Sequence, residues 1–394
     1  MKILIVCHVG MYQDLSSSFV HAQAEAYAAQ GHTVRAVILN PAGKADRFGH
    51  RLFPTVTVGN ADGVEMVNMR FISQSNLGEK GGNAIFAKQS AWMHFSKIFS
   101  EFQPDVIHAH TLGSASALGV WLKKRLHCPL VVTTHGSDTA VRIEQGRAAE
   151  LKPLCDGADR VVAVSSALAA KLKTCGTKTP VEVILNGFRI RSLPAVSEER
   201  ARCAVVQVGH LIKQKHFDVT LRAFARLKKE YPAAQFTVVG QGSERETLEA
   251  MADELGVSES VHFLGQLPNE AVLAEMSKAQ FFCMPSVREG FGIVYLEAMA
   301  SGCVAIGTEG EGIADLIESG KNGFLVPPKD DAAFAEKVLQ LYDDTALWER
   351  MAQAGQKQVK KFALEPVLEA NRALYGELLG ETPQPELAVS AITK

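Results

Sequence analysis

The sequence predicts an α/β protein made of two Rossmann-like, doubly wound domains in tandem. Three observations predict it. The chain has 394 residues, which suits two domains of roughly 100–200 residues each. Apolar runs of strand length alternate with helical patterns and end in glycine or polar residues, as βαβ units do. A polar interval at about 190–200, with Pro194, Ser197, Glu198 and Glu199, interrupts this pattern, which then starts again.

Ile3–Cys7 reads as a buried strand, because the run is too short for the apolar core of a secretory leader. A polar loop, His8–Ser18, leads to a helix over Phe19–Gln30 that Gly31 terminates. Strands follow at Val34–Leu39, Val106–Ala109, Leu130–Thr134, Arg160–Val164 and Glu182–Leu185, with helices at Ala115–Leu126 and from Ser166. After the interval, Ala204–Val208 ends at Gly209 and a helix covers Val219–Glu230. Gln235–Val239 runs into Gly240-Gln241-Gly242, with a helix from Glu244. Val261–Leu264 ends at Gly265. Phe281–Met284, a helix over Val294–Ser301 and Val304–Gly307 complete the pattern. The domains are expected at 1–190 and 200–364. A tail over 381–394, with Pro383 and Pro385, has no helical pattern and is expected to be disordered.

Hydrophobic residues make up 47% and charged residues 21%, and the net charge is -2, which gives no field for nucleic acid. Residues 1–200 hold 22 Lys+Arg against 16 Asp+Glu, a net of +6, and the rest holds 19 against 27, a net of -8. The first half therefore either meets an anion or carries scattered solvated charge. Seven cysteines include no C-x-x-C pair, which fits reduced thiols in a cytoplasmic protein. Metal-ligand spacing is absent, as is any apolar stretch long enough to span a bilayer. Residues 81–102 read as an amphipathic helix that gathers Ile85, Trp92, Phe95 and Phe99, with Lys88 and Lys97. The simpler reading turns that face to the core. The other places it at the inner membrane surface or a lipid-linked acceptor, with Trp121 and the cations 123–125 alongside.

The chemistry concentrates in Pro285–Gly302, PSVREGFGIVYLEAMASG. A strand end, a loop with two glycines and a helix start place unpaired N–H groups toward the loop, where they favour an anion such as a diphosphate. Glu289 in the loop and Glu297 in the helix can accept hydrogen bonds from sugar or ribose hydroxyls. Lys215, expected to open a helix after the strand ending at Gly209, can neutralise phosphate. Gly240 and Gly242 allow a backbone to approach a ligand closely.

In this order the motifs resemble the family 4 retaining glycosyltransferases. The likeness covers nearly the whole chain. Its most specific part is E-x7-E, filled by Glu289 and Glu297; VHFLGQLP at 261–268, EAMASG at 297–302 and GKNGFLVPP at 320–328 support it. The resemblance implies the GT-B fold, two such domains facing a cleft, with a helix at about 365–380 crossing back to the first domain. It implies a nucleotide-sugar donor, a UDP-sugar by family frequency, and a glycan or lipid-linked acceptor in bacterial surface polysaccharide synthesis. Lys215 would bind the diphosphate, Glu289 the donor sugar and Glu297 the ribose. The amides of Phe291, Gly292 and Ile293 would hold phosphate or sugar, and Gln266-Leu267 the base. Gly10 would lie near the diphosphate, and His135, in T-H-G-S-D, near the reacting sugar carbon. Asp138, Ser165 and Asn186 are weaker, structural or acceptor-side candidates. The family's usual Arg after the strand-end glycine is His210 here, which cannot fork onto phosphate. Retention without a metal ion or other cofactor is implied, with the leaving phosphate as base. The alternatives are a non-catalytic nucleotide-sugar-binding partner of another transferase and a sugar-nucleotide epimerase on the same fold.

Overall fold

A computed structural model describes residues 1–9, 19–42, 55–72, 82–189 and 204–381. The chain divides into two compact units. One is Met1–Gly187 with Leu364–Lys394, and the other is Phe188–Ala363. Gly10, Cys203, the expected linker at 190–200 and the tail from 382 onward lie outside the described residues.

The first unit holds strands β1 (Lys2–His8), β2 (Thr33–Ala42), β3 (Thr55–Ala61), β4 (Val64–Ile72), β5 (Val106–His110), β6 (Leu130–Thr134), β7 (Arg160–Ala163) and β8 (Val181–Val183). Their order is β3-β4-β2-β1-β5-β6-β7-β8. All neighbours are parallel except the antiparallel hairpin β3–β4. The central strand β1 is buried from Ile3 through Cys7, so its sequence is a continuous apolar run rather than an alternating one. Ile3, Ile5 and Cys7 pack with Val20, Ala24 and Tyr27 of the helix Phe19–Ala29. Leu364, Val367, Leu368 and Tyr375 of the helix Leu364–Leu379 join the same core. The last helix thus belongs to the first unit by apolar burial.

The second unit holds β9 (Ala204–Val208), β10 (Gln235–Val239), β11 (Val261–Gly265), β12 (Phe281–Cys283), β13 (Val304–Thr308) and β14 (Gly323–Val326). The order is β11-β10-β9-β12-β13-β14, parallel throughout. Phe217, Phe224 and Leu227 of the helix Phe217–Glu230 share a core with Phe334, Val338 and Leu341 of the helix Asp331–Asp343.

In both sheets the chain reverses its direction of growth beside the first strand, between β1 and β5 and between β9 and β12. In open α/β sheets such a switch point leaves a crevice beyond the carboxyl ends of the two strands, where ligands bind.

Three local expectations change. Lys215 closes a 3-10 turn, Lys213–Lys215, and the helix opens only at Phe217, because His216 takes a left-handed φ of 46°. Residues 81–102 form two helices, Gly82–Met93 and Phe95–Phe99, separated at His94. The core-facing reading fails for Ile85 and Trp92, which are 57% and 61% exposed. Ala87, Ser90, Ala91, Ile98 and Phe99 are the buried residues, so small side chains carry the first helix's contact. β3, β4, β14 and the helices Ser137–Glu144, Asn269–Lys278, Asp331–Asp343 and Thr345–Val359 add to the expected elements. No helix among the described residues is long and apolar enough to cross a membrane.

Candidate functional site

In the second unit, the loops after β9 and β12 meet at the switch point. Val287 N–H donates to the Gln214 carbonyl at 3.0 Å, which ties the loops together. Buried Gln207 of β9 donates from Nε2 to the Lys215 carbonyl at 2.9 Å and fixes the turn that carries this lysine. The Lys215 stem runs over Gly209, where an added Cβ would lie 3.8 Å from Lys215 Cε. Its ammonium pairs with Glu289 Oε2, and both side chains keep about a fifth of their surface exposed. The structure therefore brings together the two residues assigned from sequence to the diphosphate and the sugar. Glu289 N–H in turn donates to Glu311 Oε2 at 3.0 Å, which adds a carboxylate that no sequence motif marked.

Gly292, at φ 80°, leads the backbone into the helix Ile293–Ala300. An added Cβ would come within 2.8 Å of the Tyr295 ring, and an L side chain is strained at that φ, so the position requires glycine. Phe291 is buried against Phe362, with ring centroids 5.7 Å apart, so only its backbone is available to a ligand. The Tyr295 hydroxyl donates to the Met284 carbonyl and braces the helix against the end of β12.

Glu297, one turn inside this helix and eight residues after Glu289, has a separate partner: Asn269 Nδ2 donates to its Oε1 at 3.0 Å. Asn269 opens the helix Asn269–Lys278, two residues after Leu267. The expected base-side segment, exposed Gln266 and half-buried Leu267, therefore adjoins the carboxylate expected at the ribose. Burial pushes the Glu297 carboxyl up to about 7, against the lowering effect of the Asn269 hydrogen bond.

The glycine pair after β10 has a different immediate role from the one read in sequence. A Cβ on Gly240 would sit 1.9 Å from the Gly209 carbonyl oxygen, and one on Gly242 2.3 Å from that of Leu211. The close approach is between two strand-end loops, and it shapes the loop bearing Lys215. His210 is exposed beside it.

In the first unit, histidines gather at the carboxyl ends of β1, β5 and β6. His8 Nε2 lies 2.9 Å from Ser114 Oγ. His135, directly after β6, places Nε2 3.1 Å from Nδ1 of His110. His110 stacks on His108, with ring centroids 4.3 Å apart. His108 Nδ1 meets the Tyr375 hydroxyl at 2.5 Å, and its Nε2 meets Thr133 Oγ1 at 2.7 Å. Burial, then the neighbouring rings, hold His108 down at about 3 and His110 well below an ordinary histidine. Both are neutral near neutral pH. Thr111 takes φ 82°, rare for a β-branched residue, with its buried hydroxyl unpaired among the described residues. Only His135 of this group is marked by the sequence motifs; the signal for His108 and His110 is H-A-H at the end of a central strand, and His8 has none. Ser165 caps the helix Ser166–Lys173 by accepting from Leu168 N–H at 3.2 Å, a structural role. Asn186 is buried, Gly10 lies outside the described residues, and the Asp138 side chain is likewise not described.

Residues 196–358 match the family model for glycosyl transferases group 1, and residues 16–191 match that for glycosyltransferase family 4. The chain is 30% identical over 267 residues to phosphatidyl-myo-inositol mannosyltransferase of Mycobacterium leprae, covering 66% of this chain and 69% of that one. Sucrose-phosphate synthase of Thermosynechococcus elongatus superposes with a TM-score of 0.78 at 20% identity, covering 96% of this chain and 100% of that one. Anabaena HepE in complex with UDP superposes with a TM-score of 0.73 at 22% identity, with the same coverage. The fold is GT-B. The chain belongs to the glycosyltransferases, with a family 4 amino-terminal half and a group 1 carboxyl-terminal half.

Proposed function

We propose that this chain transfers a hexose from a UDP-sugar to a glycan or lipid-linked acceptor, with retention of configuration and without a metal ion. The observation that carries the reading is the Lys215–Glu289 pair at the β9–β12 switch point, beside the helix that starts at Ile293.

Breaking the sugar–phosphate bond builds positive charge on the sugar and negative charge on the departing diphosphate. Lys215 and the first N–H groups of the helix Ile293–Ala300 would stabilise the second. A diphosphate competes with Glu289 for Lys215. Once released, the Glu289 carboxylate is available to a sugar hydroxyl or to the developing cation. Glu297 accepts from the ribose, Gln266-Leu267 meets the base, and His135 serves the reacting sugar. Protein cations do the work of a metal ion here, so transfer should persist in a chelator. UDP follows family usage and the nucleotide held by HepE.

A lipid-linked acceptor is supported by the phosphatidylinositol named for the mycobacterial relative and by one surface of the first unit. Exposed Ile85, Trp92 and Met93 lie on the helix Gly82–Met93. Phe95 of the following helix reaches Trp121 of the helix Ser114–Leu126, with ring centroids 6.2 Å apart, and Arg125 stacks on Trp121 at 4.8 Å. Residues 82–100 and 114–127 contain no acid and carry Lys88, Lys97, Lys123, Lys124 and Arg125. Lys123 pairs with Asp159 at 2.7 Å and Lys97 donates to the Val56 carbonyl, so the apolar side chains together with Lys88, Lys124 and Arg125 are what suit an anionic lipid surface.

The test is slow hydrolysis of UDP-hexoses without acceptor, together with UDP-dependent thermal stabilisation, in wild type and Lys215→Ala. Loss of both in the variant supports the reading. Tight nucleotide-sugar binding without turnover on any donor and acceptor would favour the non-catalytic partner, a reading to which exposed His210 in place of arginine lends support.

A further inference from the structure

The geometry points to His110 as the residue that fixes the tautomer of His135, by donating its Nδ1 proton to His135 Nε2. The facing nitrogens are 3.1 Å apart, and the rings are inclined by only 26°. A single proton occupies such a contact. If it sits on His110 Nδ1, then His110 Nε2 is a bare lone pair. If it sits on His135 Nε2, neutral His110 must carry its own proton on Nε2. His110 is fully buried, and its Nε2 has no hydrogen-bonding partner among the described residues. An N–H orphaned in the interior is the worse of the two, because orphaned buried donors are rarer than under-used acceptors.

His108 reinforces this choice. Its two nitrogens are already engaged by Tyr375 and Thr133, so it stacks on His110 without offering an acceptor to Nε2. The consequence is directional. His135 keeps its proton on Nδ1 and its Nε2 is filled, so whatever Nδ1 meets, it meets as a donor on a neutral ring. Converting it to imidazolium would require an Nε2–H facing His110, and that forces the orphaned tautomer on His110. His110 is therefore a positioning residue. A neutral ring beside a sugar gaining positive charge avoids the repulsion that an imidazolium would bring. This purpose rests on the reading that His135 serves the donor sugar; the tautomer assignment itself does not.

The test is two-bond 1H–15N correlation of the histidine side chains in the whole protein at neutral pH, with His135→Gln used to assign its peaks. The expected wild-type spectrum has His135 protonated at Nδ1 and unprotonated at Nε2. His110→Leu should convert His135 to averaged tautomers and lower kcat by roughly tenfold with KM little changed. His110→Asn, whose Nδ2 can replace the donor, should restore the spectrum and most of kcat. A wild-type His135 protonated at Nε2, or a tautomer unchanged in His110→Leu, would overturn the inference. If the spectrum behaves as expected while His135→Ala transfers sugar at the wild-type rate, only the role given to His135 falls.

Discussion

Replacing Glu297 with glutamine should stabilise the protein at alkaline pH and weaken its hold on the donor. Burial raises this carboxyl from an ordinary 4.5 to about 7. The folded state then holds the proton more tightly than the unfolded chain does. The stabilisation is complete below pH 4.5, falls as pH rises through 7, and is gone above it. The difference corresponds to at most about 3 kcal/mol at 1.36 kcal/mol per pH unit, less a discount for the solvent that still reaches the side chain. Glutamine keeps the oxygen that accepts from Asn269 Nδ2 but cannot ionise. At pH 5 the two proteins should melt together. At pH 8.5 the variant should melt roughly 4–10 °C higher, at about 2–4 °C per kcal/mol for a unit of this size. UDP binding should change in the opposite sense. A carboxylate accepting from ribose contributes about 1.5–3 kcal/mol, so the variant should bind roughly 10- to 100-fold more weakly at pH 8.5. For a UDP-hexose, which has no phosphate proton titrating in this range, wild-type affinity should fall about tenfold for each pH unit below 7, while the variant's should stay flat. Differential scanning fluorimetry at both pH values, with and without UDP, reads both effects. If the wild type and Glu297→Gln lose stability in parallel between pH 5 and 8.5, the buried carboxyl is not the group that titrates, and the reasoning is wrong.

Lys215→Ala removes the cation at the switch point and should lower kcat by about 10²–10³, the usual effect of losing one stabilising contact to developing negative charge. Its melting temperature should change by only a few degrees, because the Glu289 side chain it leaves behind still reaches solvent. His210→Arg should tighten UDP binding by about tenfold or more, since a guanidinium can fork onto phosphate; unchanged affinity in calorimetry would mean that this side chain does not face the diphosphate. Gly240→Ala would put a methyl group 1.9 Å from the Gly209 carbonyl oxygen at φ 140°. It should cost roughly 2–4 kcal/mol in chemical denaturation and disorder the Lys215 loop; a cost below 1 kcal/mol would contradict the close packing of the two loops. Lys124→Glu with Arg125→Glu should cut sedimentation with anionic vesicles by more than tenfold, at about 1 kcal/mol for each cation lost. Trp92→Ser should weaken it further, and binding that neither change alters would remove the lipid surface from the proposal.

The parts of the fold legible in sequence are those whose burial leaves a simple mark. β1, β6 and β13 are strand-length runs, mostly apolar, because they are buried almost throughout; β9 and β10 keep shorter apolar stretches that end at Gly209 and Gly240. The hairpin β3–β4 was missed because β3 is largely exposed and has no such run. Its available signal was the Asp62-Gly63 turn, with φ of 53° and 77°, which joins two strands in register from Ala61–Val64 outward. The surface of the helix Gly82–Met93 was misread for a related reason. Large apolar residues usually face inward, but here Ala87, Ser90 and Ala91 make the close contact, and Ile85 and Trp92 are left to solvent.

The candidate site divides along a different line. Positions at strand ends were readable, because a parallel sheet places every such end on one edge. Partner choice was not. Nothing local pairs Glu289 with Lys215, 74 residues earlier; the pair exists because β9 and β12 are neighbours in the sheet. The same adjacency separates the two glutamates of E-x7-E. Glu289, in the loop, falls to the neighbouring strand's lysine, while Glu297, inside the helix, falls to Asn269 at the start of another helix. One glutamate is thus paired with a lysine, and the other is pushed toward neutrality by burial. That difference suits a sugar diphosphate. The lysine-paired member can yield its lysine to phosphate and turn to the sugar, whereas the buried member accepts most strongly from ribose hydroxyls once it gives up its proton. Donor binding should therefore release a proton near neutral pH. Calorimetry of UDP-hexose binding, whose doubly esterified diphosphate has no proton to lose near neutral pH, in buffers of different ionisation enthalpy at pH 6.5 would count it. About half a proton or more should leave the wild type and none the Glu297→Gln variant, and equal counts would show that Glu297 is already ionised before the nucleotide arrives.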